Sequence, residues 1–388
     1  MHTSSRRSVL FQFHLLVFAF LFAAAAVSLS AQEPEENGLK PIPDWAQSEI
    51  DQTLARFLEW KGDDDVVAVP LITDVHSEPR LGATVNGDPA EPDWSDAKNH
   101  IYIAQQAAVR FGADFMVDLG DIGLNGCRHG DPCRPEDMYW RIAAQMRVYQ
   151  DFTAVPVFFC IGNHDHGPDH DPQISNRLFG EIFNLPTIRR GVPVKTGPDF
   201  DYGYYDMPEK KTRAFFLNTS DGAYYGYSRE QLQFIADNLR LPAGWTAVFF
   251  QHFCVGHPLG IWLCCADTRA KRDEVWTAVL QGFQHNQAGE ADGVTWDFTE
   301  NEDCRLVGCI TGDSHFDNEG TVGGILHVIT QGFGGIHPND LPDYAVKTAF
   351  DKSTQTLIDV AAIKPKTREL RMFRIGAGGA GRDRAFTF

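Results

Sequence analysis

The chain has 388 residues, of which 43% are hydrophobic, 12% aromatic and 22% charged, a composition that excludes a disordered or fibrous protein. That length suits one large domain or two smaller ones, because a single core serves up to ~250–300 residues. The formal net charge of -18 speaks against a broad nucleic-acid surface, whose affinity rests on lysine and arginine meeting phosphates, and it admits a phosphate ligand only where cations reverse the local field.

In chain order, Arg6 and Arg7 precede an apolar run, Leu15 to Val27, and then the small residues "SLSA". This order predicts a secretory signal peptide over residues 1–31, and with it a secreted or periplasmic protein. The run is shorter than the ~20 apolar residues a membrane span needs, so no stable anchor is expected after cleavage. "SRRSVL" also resembles a twin-arginine signal, and both export routes stay open.

Residues 32–65 read as a polar linker carrying one helix, "WAQSEIDQTLARFLEW". From 66 to 388 the pattern is that of one domain. Apolar runs at 66–72, 114–119, 155–161, 213–218, 246–251 and 305–310 read as buried strands. Between them "DAKNHIYIAQQAAVRFG", "PEDMYWRIAAQMRVYQDF", "SREQLQFIADNLR" and "RDEVWTAVLQGFQHNQ" read as helices, which makes a layered α/β fold. "GILHVIT", "TLIDVAAI" and "ELRMFRI" follow without helices and predict a further, antiparallel part of the same domain. The insertion over 167–200, with "NRLFGEIFNLP", reads either as a lid or as decoration of the sheet edge.

Export bears on the eight cysteines, because thiols outside the cytoplasm tend to oxidise. Cys127 and Cys133 are the expected disulfide, closing the loop "CRHGDPC". Cys160 and Cys309 lie in strand-like runs and are expected as buried free thiols. With no C-x-x-C pair, a thiolate zinc site is not expected.

Five of the predicted strands end in polar residues: "TDVH" after 66–72, "GDIG" after 114–119, "GNHDH" after 155–161, "HF" after 246–251 and "TGDSH" after 305–310. Ligands of α/β sheets bind beyond the carboxyl ends of strands. Asp74, His76, Asp121, Asn163, His252, Asp313 and His315 would therefore meet, offering carboxylate, amide and imidazole donors. That mixture suits Mn, Fe or Zn better than Ca²⁺ or Mg²⁺ alone. Seven donors exceed one ion, and two divalent or trivalent ions is the simplest count. His257 competes with His252, and the strand-end position favours His252.

The ordered set D-x-H, G-D, G-N-H-D, a later His and G-x-x-H resembles the calcineurin-like metallophosphoesterase family over roughly Val66 to His337. The resemblance implies two packed β-sheets flanked by helices, a four-layer α/β/β/α sandwich, with a two-metal centre at the strand ends. It implies Asp74, His76 and His315 on one ion, Asp121 bridging, and Asn163, His252 and residue 313 on the other. The family usually has G-H-x-H where this chain has Gly312, Asp313, Ser314, His315; an aspartate there should favour a harder ion or weaken the second site.

The activity so implied is hydrolysis of a phosphomonoester or phosphodiester in a phosphorylated small molecule. Two ions ~3.5–4 Å apart would clamp phosphoryl oxygens and acidify a shared water. His164 resembles the family's proton-donating or phosphate-contacting histidine, and Asp165 would orient it. The alternative expectation is a non-catalytic or weakly active metal-binding surface protein, its second site impaired at Asp313.

Overall fold

The computed structural model describes residues 38–75, 84–85, 88–89, 94–122, 143, 146–163, 165, 174–221, 226–254, 266–314, 316–332 and 357–388. Its strands are β1 (Val67–Ile72), β2 (Thr84–Val85), β3 (Asp88–Pro89), β4 (Met116–Asp118), β5 (Val157–Phe159), β6 (Val194–Thr196), β7 (Gly203–Met207), β8 (Thr212–Phe216), β9 (Thr246–Gln251), β10 (Ala288–Ala291), β11 (Val294–Asp297), β12 (Arg305–Thr311), β13 (Asn318–Val322), β14 (Ile325–Ile329), β15 (Leu357–Lys364), β16 (Glu369–Gly376) and β17 (Arg384–Thr387). The helices are α1 (Asp44–Lys61), α2 (Trp94–Arg110), α3 (Asn176–Phe183), α4 (Leu185–Arg189), α5 (Arg229–Asn238) and α6 (Ala266–Gln284). None of the described helices is long and apolar enough to cross a membrane.

Two large sheets result. One has six strands in the order β17-β16-β15-β1-β4-β5, the other seven in the order β13-β14-β12-β9-β8-β7-β6. The strand residues were legible as unbroken apolar runs because both faces of the central strands are covered. In β1, Val67, Val69 and Leu71 face the other sheet, while Ala68 and Ile72 face the helices. Between the sheets Phe158 stacks on Phe216 at 4.8 Å and Phe115 meets Phe250 edge-on at 5.7 Å. Outside the first sheet α1, α2 and α3 supply Phe57, Ile101 and Phe179 to one core; outside the second, α5 and α6 supply Leu232 and Trp276 to another. The layers run helix, sheet, sheet, helix.

The parallel strands β1, β4 and β5 sit side by side in the first sheet, and β8, β9, β12 and β14 in the second. Their carboxyl ends carry the predicted site residues, so the site draws on both sheets. The expectation of an antiparallel C-terminal part holds for β15 and β16, which pair antiparallel beside β1, and β17, not anticipated, adds a further antiparallel strand at the edge. It needs correction for "GILHVIT": β14 pairs parallel to β12 and antiparallel only to β13. The cause is the turn Gly323–Gly324, with φ of 58° and 84°, which reverses the chain after β13 and returns β14 alongside β12.

The two readings of the 167–200 insertion separate at α3 and α4. Phe179, Ile182 and Phe183 are buried in the first core. The Asn184 side chain accepts from Phe159 N at 2.9 Å and donates to Phe159 O at 3.2 Å. It thus satisfies the edge of β5 as a neighbouring strand would. This part of the insertion covers the sheet edge; residues 167–173 lie outside the described residues. Of the predicted helix over 135–152, residues 143 and 146–150 are helical and most of the remainder falls outside the description. Cys160 and Cys309 are buried free thiols as expected, whereas Cys127 and Cys133 lie outside the described residues.

Candidate metal centre

Three aspartates end three strands in the same unusual backbone state. Asp74, Asp121 and Asp313 have φ of 52°, 55° and 67°, the left-handed region that costs an L-residue roughly 1–2 kcal/mol and that Asp tolerates better than most. Strain of this kind gathers where a side chain must be aimed. Here it turns each chain sharply at the end of β1, β4 or β12.

Close backbone approach completes the walls. A Cβ on Gly162 would lie 2.1 Å from Asp121 Oδ1, and one on Gly312 would lie 1.9 Å from Thr73 Oγ1. Gly332, after β14, stands against Asp74 in the same way, its Cβ position 2.4 Å from Asp74 Cβ. The sequence signal for Gly332 was a glycine closely following a strand that ends in Ile-Thr, as Gly312 does, and it was missed.

Hydrogen bonds then fix the donors. Asp74 Oδ2 accepts from Thr73 Oγ1 at 2.6 Å and from Asp313 N at 3.1 Å. Asp165 Oδ2 accepts from Asp121 N at 2.8 Å and from Gly162 N at 3.1 Å, so one carboxylate oxygen ties the loop after β4 to the loop after β5. His252 Nδ1 lies 3.0 Å from Leu119 O. A carbonyl can only accept, so Nδ1 carries a hydrogen and Nε2 is turned into the cluster.

Around that Nε2 stand Asn163 Oδ1 at 3.0 Å, Asp121 Oδ2 at 3.4 Å and Asp313 Oδ1 at 3.7 Å. Ligand atoms of Asp74, Asp121 and His252 all fall within 4.8 Å of one another. With metal–ligand bonds of ~2.1 Å, neighbouring donors of one ion lie roughly 3.0–3.4 Å apart. The separations of His252 from Asn163 and Asp121 fall in that range, that from Asp313 lies a little beyond it, and the mixture of imidazole, amide and carboxylate donors is one that can hold a metal ion.

The electrostatics agree. Burial opposes a charge on His252, yet Asp121, Asp74 and Asp313 outweigh it and push the imidazole up to about 10. The field that draws a proton to Nε2 is the field that draws a cation. Burial also lifts Asp118 to about 7, although Tyr149 Oη donates to its Oδ2 at 2.5 Å and Gly120 N to its Oδ1 at 3.0 Å. Asp165 is raised by burial and then by Asp121. Carboxylates crowded into a dry site resist ionisation unless positive charge joins them.

The structure thus brings together Asp74, Asp121, Asn163, His252 and Asp313, with Asp165 behind them. His76, His164 and His315 lie outside the described residues. Asp118, Tyr149 and Thr73 support the site and were not anticipated: Thr73 precedes Asp74, Asp118 ends β4 three residues before Asp121, and Tyr149 bonds Asp118, but hydroxyls and an aspartate inside an apolar run carry no motif.

No protein-family model matches the chain, and no curated protein is similar to it in sequence. Among solved structures it is similar to a dimetal phosphatase from Danio rerio, with 17% identity and a TM-score of 0.52 over 84% of this chain and 100% of that one. It also matches a purple acid phosphatase from yellow lupin, with 14% identity and a TM-score of 0.44 over 84% of this chain and 53% of that one. A third match is GAP50, the anchor in the inner membrane complex of Plasmodium, with 11% identity and a TM-score of 0.43 over 83% and 89%.

Proposed function

We propose that this chain, which has the calcineurin-like metallophosphoesterase fold, is an exported hydrolase that uses two metal ions to cleave phosphoester bonds in small phosphorylated molecules. One observation carries the reading: His252 Nε2 faces three oxygens at 3.0–3.7 Å, delivered from the ends of strands in both sheets. Nothing in a purely structural core calls for that convergence.

Bound there, the ions would supply Lewis-acid charge to a phosphoryl group and acidify water near neutral pH. Asp74, Asp121, Asn163, His252 and Asp313, with His76 and His315 as the remaining donors, would hold them. Asp121 lies next to His252 and within reach of Asp74, the place a bridging carboxylate needs. Asp165 keeps Asp121 and Gly162 in register through their backbone amides. His164, adjacent to Asn163, is assigned the proton that the departing oxygen requires. Leu119 O holds His252 in the tautomer that leaves Nε2 to bind.

Purified protein assayed on p-nitrophenyl phosphate and bis-p-nitrophenyl phosphate with Mn²⁺, Zn²⁺ or iron, before and after a chelator, tests the proposal. Chelator-sensitive turnover is the expected result. Tight metal binding with no turnover on a broad phosphoester panel would instead favour a metal-binding protein on this fold. Export over residues 1–31 is tested by the N-terminal sequence of the mature protein.

A further inference from the structure

The loop that carries Asp313 and His315 ends at Asp317, and Asp317 is gripped from behind. Its Oδ1 accepts from Arg374 Nη2 at 2.6 Å and from Gln331 N at 3.1 Å, with Arg384 Nη2 at 3.4 Å. Arg374, on β16, is fully buried. Its guanidinium also donates from Nε to Asp359 Oδ1 at 2.8 Å and from Nη2 to Asp359 Oδ2 at 3.0 Å. Asp359, on β15, accepts in turn from Thr330 Oγ1 at 2.5 Å. Arg384 Nη1 donates to Ile329 O at 2.8 Å and Asn318 O at 3.3 Å.

Asp317 therefore ties its loop after β12 directly to the loop after β14 through Gln331 N, and one planar guanidinium joins Asp317 to Asp359, which holds Thr330 at the start of that second loop. Both loops close on the same ligand. Asp313 N donates to Asp74 Oδ2, and neither Gly312 nor Gly332 has room for a Cβ beside the Thr73–Asp74 pair. A fork of fixed geometry sets a distance between two carboxylates better than a flexible ammonium does.

Taking the cluster as a metal centre, we propose that Arg374 and Asp317 are positioning residues for it: their buried pairing fixes the separation of Asp313 from Asp74 and so tunes metal affinity without touching the ion. A pairing that served only to hold the C-terminal strands in place would affect folding and leave affinity alone.

Chelator-stripped full-length protein titrated with Mn²⁺ by calorimetry separates the two, with the thermal midpoint of the stripped protein measured alongside. Asp317→Asn keeps the shape and loses the charge. It is expected to weaken Mn²⁺ binding about 10–100-fold, the range seen for groups that orient ligands. Arg384→Gln, at a partly exposed member of the same network, is expected to weaken it less and serves should Asp317→Asn fail to fold. Phe57→Leu, in the helix-covered core, is the control that lowers the midpoint while leaving affinity unchanged. Affinity within twofold of the wild type in Asp317→Asn, or in Arg384→Gln where Asp317→Asn does not fold, would overturn the positioning role. Absence of Mn²⁺ binding to the wild type would instead overturn the metal centre itself, and this inference with it.

Discussion

Two buried groups of charge lie back to back in this molecule, sharing the loops after β12 and β14. Around Arg374, guanidinium and carboxylate balance: burial opposes ionisation of Asp359, but Arg374 and Arg384 hold it below the usual carboxylate range, and Arg374 is held above its own. Around His252 the balance runs the other way. Asp118 and Asp165 are pushed up, and His252 gathers a proton from the excess of carboxylate. A buried network that balances is a fastener; one whose carboxylates outnumber the facing imidazole is a site waiting for cations.

The sharpest way to break that contrast is to remove charge from each side. Asp121→Asn, which tolerates the same left-handed backbone, should lower chelator-sensitive turnover by at least about a thousandfold, which is about 4 kcal/mol of transition-state stabilisation. The same change should leave the melting point of metal-stripped protein unchanged or raised, since it relieves crowding among carboxylates. A drop of many degrees in stripped protein would mean that Asp121 is a structural residue. Removal of one partner on the balanced side should instead lower the stability of stripped protein, beside the weaker Mn²⁺ binding expected of a positioning residue. Arg374→Met leaves the buried Asp359 and Asp317 to share Arg384, so the loss should approach the ~3–5 kcal/mol of a broken buried pair. Urea unfolding reads this directly. The double change Arg374→Met with Asp359→Leu should recover part of it, because a hydrophobic pair replaces a charged one.

Acidity separates the two groups by sign. For Asp118, Asp165 and His252 the folded pKa lies above the unfolded one, so the folded state binds the extra proton and stability falls as pH rises. For His252 that contribution is full below about 6.5 and is lost as pH climbs towards about 10. Asp359 is depressed, so its contribution is present above about 3.9 and lost only in stronger acid. Metal-stripped protein should therefore be most stable at mildly acid pH. The gap in melting temperature between loaded and stripped protein should widen from pH 5 to pH 8, as cations replace protons. A gap that narrows over that range would contradict the assignment of His252 as a ligand.

Much of the group around His252 was legible in the sequence, and almost none of the group around Arg374. Asp74, Asp121, Asn163, His252 and Asp313 each follow an apolar run, and polar residues at the end of a buried strand stand out against it. The strands themselves were legible because β1, β9 and β12 are covered on both faces. By contrast β6, β10 and β13 are half exposed with mixed residues, and no period marks them. Arg374 sits inside "ELRMFRI", where apolar residues occupy both faces of the strand and nothing sets it apart from Arg371. Its burial depends on Asp359, 15 residues earlier, and Asp317, 57 residues earlier, and such distant pairings leave no local pattern. Asp165 shows the same limit: adjacency suggested a partner for His164, while its bonds to Asp121 and Gly162 are visible only in three dimensions.

The smallest expected effect lies at the seam between helix and site, where Tyr149 donates to Asp118. Tyr149→Phe removes one donor and leaves Gly120 N on the other oxygen. Because Asp118 titrates near 7, it is mostly protonated at pH 6 and mostly charged at pH 8. A carboxylate needs the hydroxyl more than a carboxylic acid does, since hydrogen bonds to charged groups are about twice as strong. The loss of stability in stripped protein should be about 1 kcal/mol at pH 6 and larger at pH 8, while Mn²⁺ affinity should change by less than about threefold, as Asp118 holds the loop and not the ion. Urea midpoints at the two pH values decide it: an equal loss at both would show that Asp118 keeps one charge state throughout, and that the carboxylate crowding around His252 stops short of this residue.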